Sequence, residues 1–476
     1  MNAVQRTPRH RAPSPGAGET APTSARGRPV TARAAELWNR SPVLRSLVGL
    51  AMLTVLCVGA SIARYAHHHM LSPIDELQHI DYLDRAGHLH LVHSGQQVHT
   101  LAMREEACRG GVEIANFQPG SHCGGPYDPN TYQEFGRNTA DIHPPTYYLL
   151  TGVSARFLVW TGLWSDFVDA GRALGGVWAA LGLWLMALAM RRLGASTVVT
   201  AITAASLAVT PLVIRATSIV SNDTTTILTG SLLVYATVRH RQGDASLRWV
   251  ATAAVAAVWL RPTAILAVAA AAIVLLFIDD RDDGPPPWRS WRRWKPSVTV
   301  GLSALAAQQA WLALRGVMAI QTSVPNSIAE REHVSSLSTG QITGNVRALI
   351  PLLGDDSGTF TSTQLIHELA VTVSAWLIIA AAAAVAMTAR RATLVAAIGG
   401  SGAAMVLLGG PILVVLSFVS QHVYAIIPQR YGLALLPFAV TAATCGTNRA
   451  TRAVLSTTLA ISGVLGFYLL TQGTTI

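Results

Sequence analysis

The chain has 476 residues, of which 51% are hydrophobic and only 13% are charged. Because soluble globular proteins carry roughly 25% charged residues, this composition excludes an ordinary soluble enzyme. The net charge of +10 comes from 35 basic residues, all of them arginine except Lys295. Such an excess can indicate nucleic acid binding, but most of these arginines lie in short joints between apolar segments. We therefore expect a membrane protein without a nucleic acid partner.

The N-terminal region, residues 1–45, is rich in Pro, Ala, Ser and Arg and has almost no large apolar side chains. Segments of this kind cannot bury enough apolar surface to fold, so we predict a disordered, basic cytoplasmic tail. The apolar run at residues 43–62 follows, and no convincing signal-peptide cleavage site comes after it. This run is the first predicted membrane span, and residues 46–476 are predicted to form one multispanning domain.

The first outer loop is predicted at residues 64–165. Up to residue 143 it is polar and acidic and contains few arginines, and loops poor in basic residues tend to lie outside the cytoplasm. The apolar stretch at residues 147–164 is long enough to cross a bilayer, but a crossing there would place the later arginine-rich joints outside. We therefore expect this stretch to lie along the outer membrane interface.

Eleven membrane-spanning helices are predicted, because the chain repeats apolar stretches near the roughly 20 residues that a crossing needs. In approximate residue numbers they are 44–63, 171–190, 197–215, 223–238, 247–260, 262–278, 298–315, 366–388, 393–420, 431–447 and 453–471. The arginine-rich joints between them place the N-terminus in the cytoplasm and the C-terminus outside. A second large outer loop is predicted at residues 316–365. The expected fold is an all-α integral membrane protein.

Two cysteines, Cys108 and Cys123, share the first outer loop. The space outside the cytoplasm is oxidising, and a disulfide that closes a loop of about 15 residues contributes roughly 3 kcal/mol. We therefore predict a disulfide between them. Two free thiols, or a zinc site that includes His122, are the alternatives.

Titratable residues lie at both ends of this loop. If a helix begins at Pro73, then Asp75 and His79 lie four residues apart on one face of it. A carboxylate beside an imidazole at the membrane surface suits general-base chemistry. The loop closes with His143, two prolines and Tyr147, which suits an aromatic contact with the membrane interface. The alternative is a solvated helix start and a simple aromatic anchor.

Most other charged or polar residues near the spans fall at the predicted outer ends. They are Arg215, Asn222, Asp223, Arg261, Arg315, His367, Glu368, Gln429, Arg430 and Tyr431. Four arginines on the outer side oppose the usual orientation bias, and charges near a bilayer are rare. Their shared depth predicts one anionic ligand at the outer interface. The alternative is that the arginine side chains extend to lipid phosphates.

The order of these features resembles the GT-C type glycosyltransferases. The features are the acidic pair Asp75–Glu76 after the first span, the His143 segment with Tyr147, the Asn222–Asp223 pair at a later span, and Gln429, Arg430 and Tyr431 near the end. The resemblance covers nearly the whole chain after residue 45 and is closest to a group of uncharacterised bacterial multispanning proteins. In that fold the first outer loop contributes helices that lie along the membrane.

The resemblance implies a transferase that moves a sugar from a polyprenyl-phosphate donor to a glycan, lipid or protein acceptor outside the bacterial plasma membrane, with inversion. The catalytic carboxylates would be Asp75, Glu76 and Asp223. The substrate-binding residues would be His79, His143, Tyr147, Arg215, Asn222, Arg261, Gln429, Arg430 and Tyr431. Arg261 departs from the family pattern, which often has lysine there, and arginine binds phosphate with a different geometry.

The resemblance implies no certain cofactor. A divalent metal is an alternative, with Asp75, Glu76, His79 and His143 as its ligands, although their spacing is not diagnostic. No glycine-rich nucleotide-binding motif follows a strand pattern, in agreement with a lipid-linked donor. Two other classes of function stay open: a transporter or flippase of a lipid-linked anion, and a non-catalytic scaffold for envelope assembly.

Overall fold

The computed structural model describes residues 41–72, 75–110, 122–277, 291–320, 328–349, 362–389 and 393–471. Within these ranges the secondary structure is helical, and β-type pairing is limited to two isolated bridges, Gln97–Arg137 and His333–Val423. The predicted all-helical class is therefore confirmed. The chain divides into two compact units, Met1–Val48 and Gly49–Ile476.

The first helix, α1 (Pro42–His67), begins slightly earlier than predicted. The hydroxyl of Ser41 accepts a hydrogen bond from the backbone N–H of Leu44 at 3.1 Å, and Pro42 is the first helical residue. A serine cap followed by proline is a strong helix start, so residues 42–45 of the predicted tail are already helical. The rest of the predicted tail, residues 1–40, lies outside the described residues.

In its described region, the first outer loop contains three α-helices: α2 (Glu76–Gly87), α3 (Thr100–Arg109) and α4 (Thr146–Trp160). Short 3-10 turns lie between α3 and α4, at Pro129–Thr131, Gln133–Gly136 and Thr139–Ile142. Helix α2 begins at Glu76 rather than at Pro73, which lies outside the described residues. The reason is the left-handed backbone of Asp75, whose φ of 55° cannot continue a right-handed helix.

An apolar core holds this loop together. Residues 76–86 of α2 are all buried, and Tyr82, Tyr147 and Tyr148 pack within the same core. Helices α2 and α4 cross closely at Gly152, where a Cβ atom would stand 2.9 Å from the backbone nitrogen of Gly87. The lack of a side chain at Gly152 therefore permits this close crossing, which fixes the position of α2 relative to α4.

The other side of α4 is apolar and exposed. It carries Leu150, Val153, Phe157 and Trp160. The helix has 15 residues and forms most of the stretch at residues 147–164. One buried side and one exposed apolar side suit a helix that lies along a membrane interface. The interfacial placement of this stretch stays a prediction.

The chain after this loop continues as a series of helices. They are α5 (Phe167–Arg192), α6 (Thr197–Ala208), α7 (Pro211–Thr217), α8 (Thr226–Arg241), α9 (Leu247–Leu260), α10 (Ile265–Phe277), α11 (Trp291–Val317), α12 (Ile328–Arg331), α13 (Thr339–Gly344), α14 (Ser362–Thr388), α15 (Leu394–Gln421), α16 (Leu436–Gly446) and α17 (Arg449–Thr471). Among the described residues, six helices are long and apolar enough to cross a membrane: α1, α5, α11, α14, α15 and α17. The chain is therefore a multi-pass membrane protein.

The predicted number of eleven crossings is not confirmed. Helices α6 and α7 are bent by 64° at a short break and make a seventh crossing if they are counted as one span. The other four predicted spans are helical but short, with 16 residues in α8, 14 in α9, 13 in α10 and 11 in α16. At 1.5 Å per residue, a helix of this length covers less than the roughly 30 Å of a bilayer core.

The predicted ninth span forms one helix, α15, with Pro411 inside it. At Gly410 the backbone of Asn345 approaches so closely that a Cβ atom would overlap its carbonyl oxygen. Asn345 belongs to the second outer loop, whose described residues include α12, α13 and a 3-10 turn at Asn345–Arg347. Of this predicted loop, residues 321–327 and 350–361 lie outside the described residues.

The main core brings together the ends of distant helices. Helix α5 packs along α8, and a Cβ atom at Gly182 would stand 2.6 Å from the backbone nitrogen of Leu228. Helix α8 in turn meets the turn before α16, where a Cβ atom at Gly230 would overlap the carbonyl oxygen of Ala434. Small residues allow such close helix packing in membranes. This packing places the N-terminal end of α8 beside the segment that carries Arg430.

Candidate functional site

Asp223 lies at the centre of the candidate site. It belongs to a 3-10 turn, Asn222–Thr225, that leads into α8, and the Ser221 hydroxyl accepts a hydrogen bond from its backbone N–H at 3.2 Å. Arg430 Nε lies 2.7 Å from Oδ2 of Asp223, and Arg261 Nη2 contacts Oδ1. Both oxygens of one buried carboxylate therefore face an arginine.

The two arginines differ in accessibility. The side chain of Arg261 is 3% exposed and donates hydrogen bonds to Oδ1 of Asn222 at 2.7 Å and to Oγ1 of Thr263 at 2.8 Å. The side chain of Arg430 is 18% exposed. Both guanidinium groups lie over the ring of Tyr431, at 5.1 Å and 5.6 Å from its centre. Arg430 is therefore the cation of this pair that a ligand reaches more easily.

Asp75 lies within electrostatic reach of this pair. The residue is exposed, but protein atoms around its carboxylate remove part of the hydration of that group. The resulting loss of hydration raises the pKa of Asp75; Arg430 opposes this rise, while the negative charges of Glu134 and Asp223 add to it. A carboxylate with a raised pKa is a stronger base than an ordinary one. Asp75 thus combines access, basicity and a neighbouring cation.

Two histidines, His79 and His143, lie close to Asp223. The rings of His79 and His143 stack with their centres 5.6 Å apart. His79 shares a hydrogen bond with the Tyr148 hydroxyl at 2.6 Å, through Nδ1, and its Nε2 lies 3.4 Å from the Ser221 hydroxyl. Burial lowers the pKa of His79 to about 4, and burial also lowers the pKa of His143 well below its ordinary value. Both imidazoles are therefore neutral near pH 7.

Glu76 belongs to a separate, fully buried ion pair. Its Oε1 accepts hydrogen bonds from Arg172 Nε at 2.8 Å and from the backbone N–H of Val220 at 2.8 Å. Its Oε2 accepts from Arg172 Nη2 at 2.9 Å and from the backbone N–H of Ser72 at 2.7 Å. Arg172 lies in the first turns of α5 and is a residue that the sequence reasoning missed. Its signal is a charge inside a predicted apolar span, which is rare.

The other predicted ligand-binding residues lie around the same centre. Among the described residues, Nδ2 of Asn222, Oε1 of Gln429 and Nδ1 of His143 are buried atoms with no hydrogen-bond partner. Arg215 lies in α7, which packs against the turns that carry Asp223 and Arg430. Tyr147 lies in the core of the outer loop, against Tyr148 and Trp178.

Of three further residues predicted at the outer ends of spans, the structure describes the side chain of one, Arg315. Arg315 forms an ion pair with Asp141 at 2.8 Å. The side chains of His367 and Glu368 lie outside the described region of the chain. Arg315 also lies within electrostatic reach of His143, so it borders the centre.

Cys108 and Cys123 form a disulfide. Arg109, which follows Cys108, forms ion pairs with Asp166 at 2.6 Å and with Asp169 at 2.7 Å, at the start of α5. The disulfide and these ion pairs connect α3 to neighbouring segments of the chain. These contacts stabilise the loop and are not part of the centre around Asp223.

The second outer loop reaches the same region. Arg331 contacts both carboxylate oxygens of Glu134, at 2.7 Å and 2.9 Å. The backbone N–H of Tyr424 donates to the carbonyl of Glu332 at 3.0 Å, in the segment that leads to Arg430. Because Glu134 also acts on the Asp75 carboxylate, this contact lies near the site.

No metal-binding group is found among the residues that the structure describes: no three His, Cys, Asp or Glu side chains are arranged to hold an ion. Of the predicted ligand set, Glu76 already accepts four hydrogen bonds from Arg172, Val220 and Ser72.

The centre combines an exposed carboxylate, two arginines that share one aspartate, and two neutral imidazoles. Such a set can take a proton from a hydroxyl and bind an anion next to it. No protein-family model and no curated protein sequence matches the chain.

Proposed function

We propose that this chain is a membrane glycosyltransferase of the GT-C type, which transfers a sugar from a polyprenyl-phosphate donor to an acceptor outside the bacterial plasma membrane. The observation that carries the proposal is the ion pair of Arg430 with Asp223, with Asp75 near enough to be affected by the charges of both. The three residues come from distant regions of the chain. An accessible base beside a cation suits a reaction in which a hydroxyl attacks and a phosphate departs.

The reaction is a single displacement. Asp75 takes the proton of the acceptor hydroxyl while the hydroxyl oxygen bonds to the anomeric carbon of the donor sugar. The bond between that carbon and the phosphate oxygen breaks, and its electron pair leaves with the polyprenyl phosphate. The attack comes from the side opposite the phosphate, so the anomeric configuration is inverted.

Arg430 and Arg261 have different tasks in this proposal. Arg430 is the more exposed of the two and contacts the departing phosphate, where negative charge accumulates. Arg261 is buried and bound by Asn222 and Thr263, so it holds Asp223 in place. Both guanidinium groups lie over the Tyr431 ring, which keeps them adjacent.

The sugar would bind through neutral polar atoms. Within the described ranges, Nδ2 of Asn222 is a buried donor and Oε1 of Gln429 a buried acceptor without a hydrogen-bond partner. Asn222 is hydrogen-bonded to Arg261, and Gln429 precedes Arg430 in the sequence. His143 has an unused ring nitrogen. Sugar hydroxyls both donate and accept hydrogen bonds, so they can satisfy all three groups.

We also propose that the chain crosses the membrane about eleven times, with the active site outside and the N-terminus in the cytoplasm. The short helix α8 supports this, because residues 226–231 and most of its remaining length are buried by other helices. A helix enclosed by protein does not need to match the thickness of the lipid. In this proposal the short helices cross inside the bundle, while the long helices α1, α11, α14, α15 and α17, which are mostly unburied, face the bilayer.

A transporter or flippase of a lipid-linked anion is the second candidate. One observation favours it: α6 and α7 are bent by 64° at a break, and transporters often build binding sites from broken helices. Arg215 lies on the second half of this broken pair. The two candidates differ in whether the sugar–phosphate bond is cleaved.

The test is a transfer assay with the purified full chain in nanodiscs. Synthetic polyprenyl-phosphate sugars with a labelled sugar are offered together with an envelope acceptor fraction, and the labelled acceptor and the released polyprenyl phosphate are both measured. We expect transfer by the native chain. Asp75→Asn should lower it by roughly 100-fold or more, the usual scale for the loss of a general base.

The matched control is Asp244→Asn, which removes a carboxylate paired with Arg192 in the joint between α8 and α9. This variant should retain the native rate. Undiminished transfer by Asp75→Asn would contradict the assignment of the base. Movement of intact donor across a proteoliposome membrane without cleavage would favour the transporter.

A further inference from the structure

Helix α5 contacts both segments that carry the candidate carboxylates. A Cβ atom at Gly175 would overlap the carbonyl oxygen of Thr217, and one at Gly171 would stand 3.3 Å from Val220. The segment between α7 and Asp223 therefore lies directly on the side of α5. This close packing fixes the distance between α5 and the turn that carries Asp223.

Arg172 lies on the same helix and turns to the other segment. It donates hydrogen bonds to the backbone carbonyl of His69 at 3.3 Å and of Met70 at 3.0 Å, at the end of the chain that leads from α1 towards Asp75. Its side chain is 1% exposed. The planar guanidinium group of Arg172 donates four hydrogen bonds in this enclosure, which restrict its side chain to a narrow range of positions.

Glu76 joins the two segments directly, and Arg172 holds its carboxylate in place. One carboxylate oxygen accepts the N–H of Ser72, three residues before Asp75, and the other accepts the N–H of Val220, three residues before Asp223. Both oxygens also bind Arg172. A single carboxylate thus connects the backbone on the two sides of the site.

We propose that Arg172, acting through Glu76, is a positioning residue that sets the distance between Asp75 and Asp223, and that Glu76 serves this purpose and does not accept the proton. The inference rests on the proposed function for its kinetic consequence only. A misplacement of about 1 Å between reacting groups can lower a rate by roughly 100-fold, so the connection matters for catalysis although neither residue touches the substrate.

The test uses Glu76→Gln and the double variant Glu76→Gln/Arg172→Gln. The double variant is needed because Glu76→Gln alone leaves the arginine unpaired in the interior, and a buried unpaired charge is strongly destabilising. Glutamine offers one acceptor oxygen in place of two, so at least one of the N–H groups of Ser72 and Val220 loses its partner. Amide hydrogen exchange of the full chain in detergent measures this loss directly.

We expect exchange at Ser72 or Val220 to become faster by about tenfold or more in both variants, the scale of one lost hydrogen bond. The control Glu105→Gln changes a glutamate that pairs with Arg109 in the same outer loop, and it should leave both amides unchanged. Unchanged exchange in the double variant would overturn the proposal, whatever the activity.

Kinetics separate positioning from proton transfer. In the variants kcat should fall by about 10-fold to 100-fold while KM for the donor stays near the native value, because Arg430 is untouched. The acidic limb of the pH–rate profile should persist, since Asp75 remains the base. Loss of this limb in Glu76→Gln would overturn the proposal and make Glu76 the base. If the native chain transfers no sugar, the proposed function fails, and the exchange result alone decides the positioning role.

Discussion

Asp223 faces two arginines at once, which makes it the residue on which the charge balance of the site depends. Asp223→Asn would leave two positive charges facing each other over the Tyr431 ring. Removal of one partner from a buried ion pair costs about 3–5 kcal/mol. We expect a loss of this size, measured as chemical or thermal unfolding of the purified chain in detergent.

The comparison for Asp223→Asn is Asp244→Asn, where the carboxylate side chain is 48% exposed. Exposed ion pairs contribute about 0–1 kcal/mol, so this variant should unfold almost as the native chain does. Equal stability of the two variants would show that the cluster around Asp223 is open to water in solution.

The exposure of Arg430 predicts a specific kinetic effect. In the proposed reaction Arg430 contacts the donor phosphate before and during its departure, so in Arg430→Ala donor binding should weaken and kcat should fall together. Steady-state kinetics with a direct donor-binding measurement separate the two effects. Arg192→Ala, on the pair with Asp244, is the control and should change neither. Unaltered donor affinity in Arg430→Ala would assign the phosphate to another residue.

The joint placement of Asp75, Asp223 and Arg430 could be anticipated, because all three stand at the predicted outer ends of apolar segments. What the sequence could not show is which charges pair. Arg315 has the same predicted depth, yet it binds Asp141. The role of Glu76 depends on two backbone N–H groups, at Ser72 and Val220, and backbone partners leave no pattern in a sequence.

At the scale of single helices, α3 carries a pH-sensitive group. Glu106 is 6% exposed, and burial raises its pKa to about 7 from an ordinary value of 4.5. A raised folded-state pKa means that the neutral form stabilises the fold at low pH. The contribution of the neutral Glu106 carboxyl group to the free energy of unfolding is complete below about pH 4.5, declines as the pH rises, and is lost above about pH 7.

Glu106→Gln should therefore match the native chain near pH 4.5 and exceed it in stability at pH 8. The expected difference at pH 8 is on the order of 3–4 kcal/mol, from about 1.4 kcal/mol per pKa unit over the shift from 4.5 to about 7. Thermal unfolding across this pH range measures it. Equal melting temperatures of the two chains at pH 8 would mean that the ionised carboxylate finds water or a partner.

Helix α4 permits a test of topology. The exposed apolar side of this helix predicts that the chain returns to the outer face near Trp164. In a background with Cys57→Ala and Cys445→Ala, a cysteine in place of Trp164 should react with an impermeant reagent added outside intact cells. Ser246→Cys, in a predicted cytoplasmic joint, should react only after the membrane is opened. The opposite result at Trp164 would reverse the orientation of every later helix.

Helices were easier to predict than crossings. Apolar runs located α1, α5, α11, α14, α15 and α17, because a long apolar run in a multi-pass protein has few other conformations. The bounds of α9 were predicted at residues 247–260, because Arg261 and Pro262 mark its end. The predicted span 431–447 begins too early, since Gln429–Ala434 form a 3-10 turn and α16 starts at Leu436 with Pro437 in its first turn. The bend between α6 and α7 has the same origin, at Pro211.

For the whole molecule, the proposed reaction has a chemical consequence in the cell envelope. A strain that lacks this protein should lose one sugar from an envelope glycan and accumulate the corresponding polyprenyl-phosphate sugar. Glycan composition and mass analysis of the lipid fraction measure both changes. Restoration by the native gene but not by the Asp75→Asn variant would connect the phenotype to the site. An unchanged lipid fraction together with an unchanged glycan would argue against the transferase.

The contact between Arg331 and Glu134 joins the two outer loops, and both side chains lie partly in water, at 38% and 19% exposure. An ion pair of this kind contributes about 0.2–1 kcal/mol, so thermal energy alone breaks it during roughly a sixth to two fifths of the time. The two loops are also joined by a hydrogen bond between His93 Nδ1 and the Met318 carbonyl at 2.8 Å and by one from the Ile320 N–H to the Ser94 carbonyl at 3.0 Å. The ion pair can therefore open while these contacts hold the loops together, and no helix has to unfold.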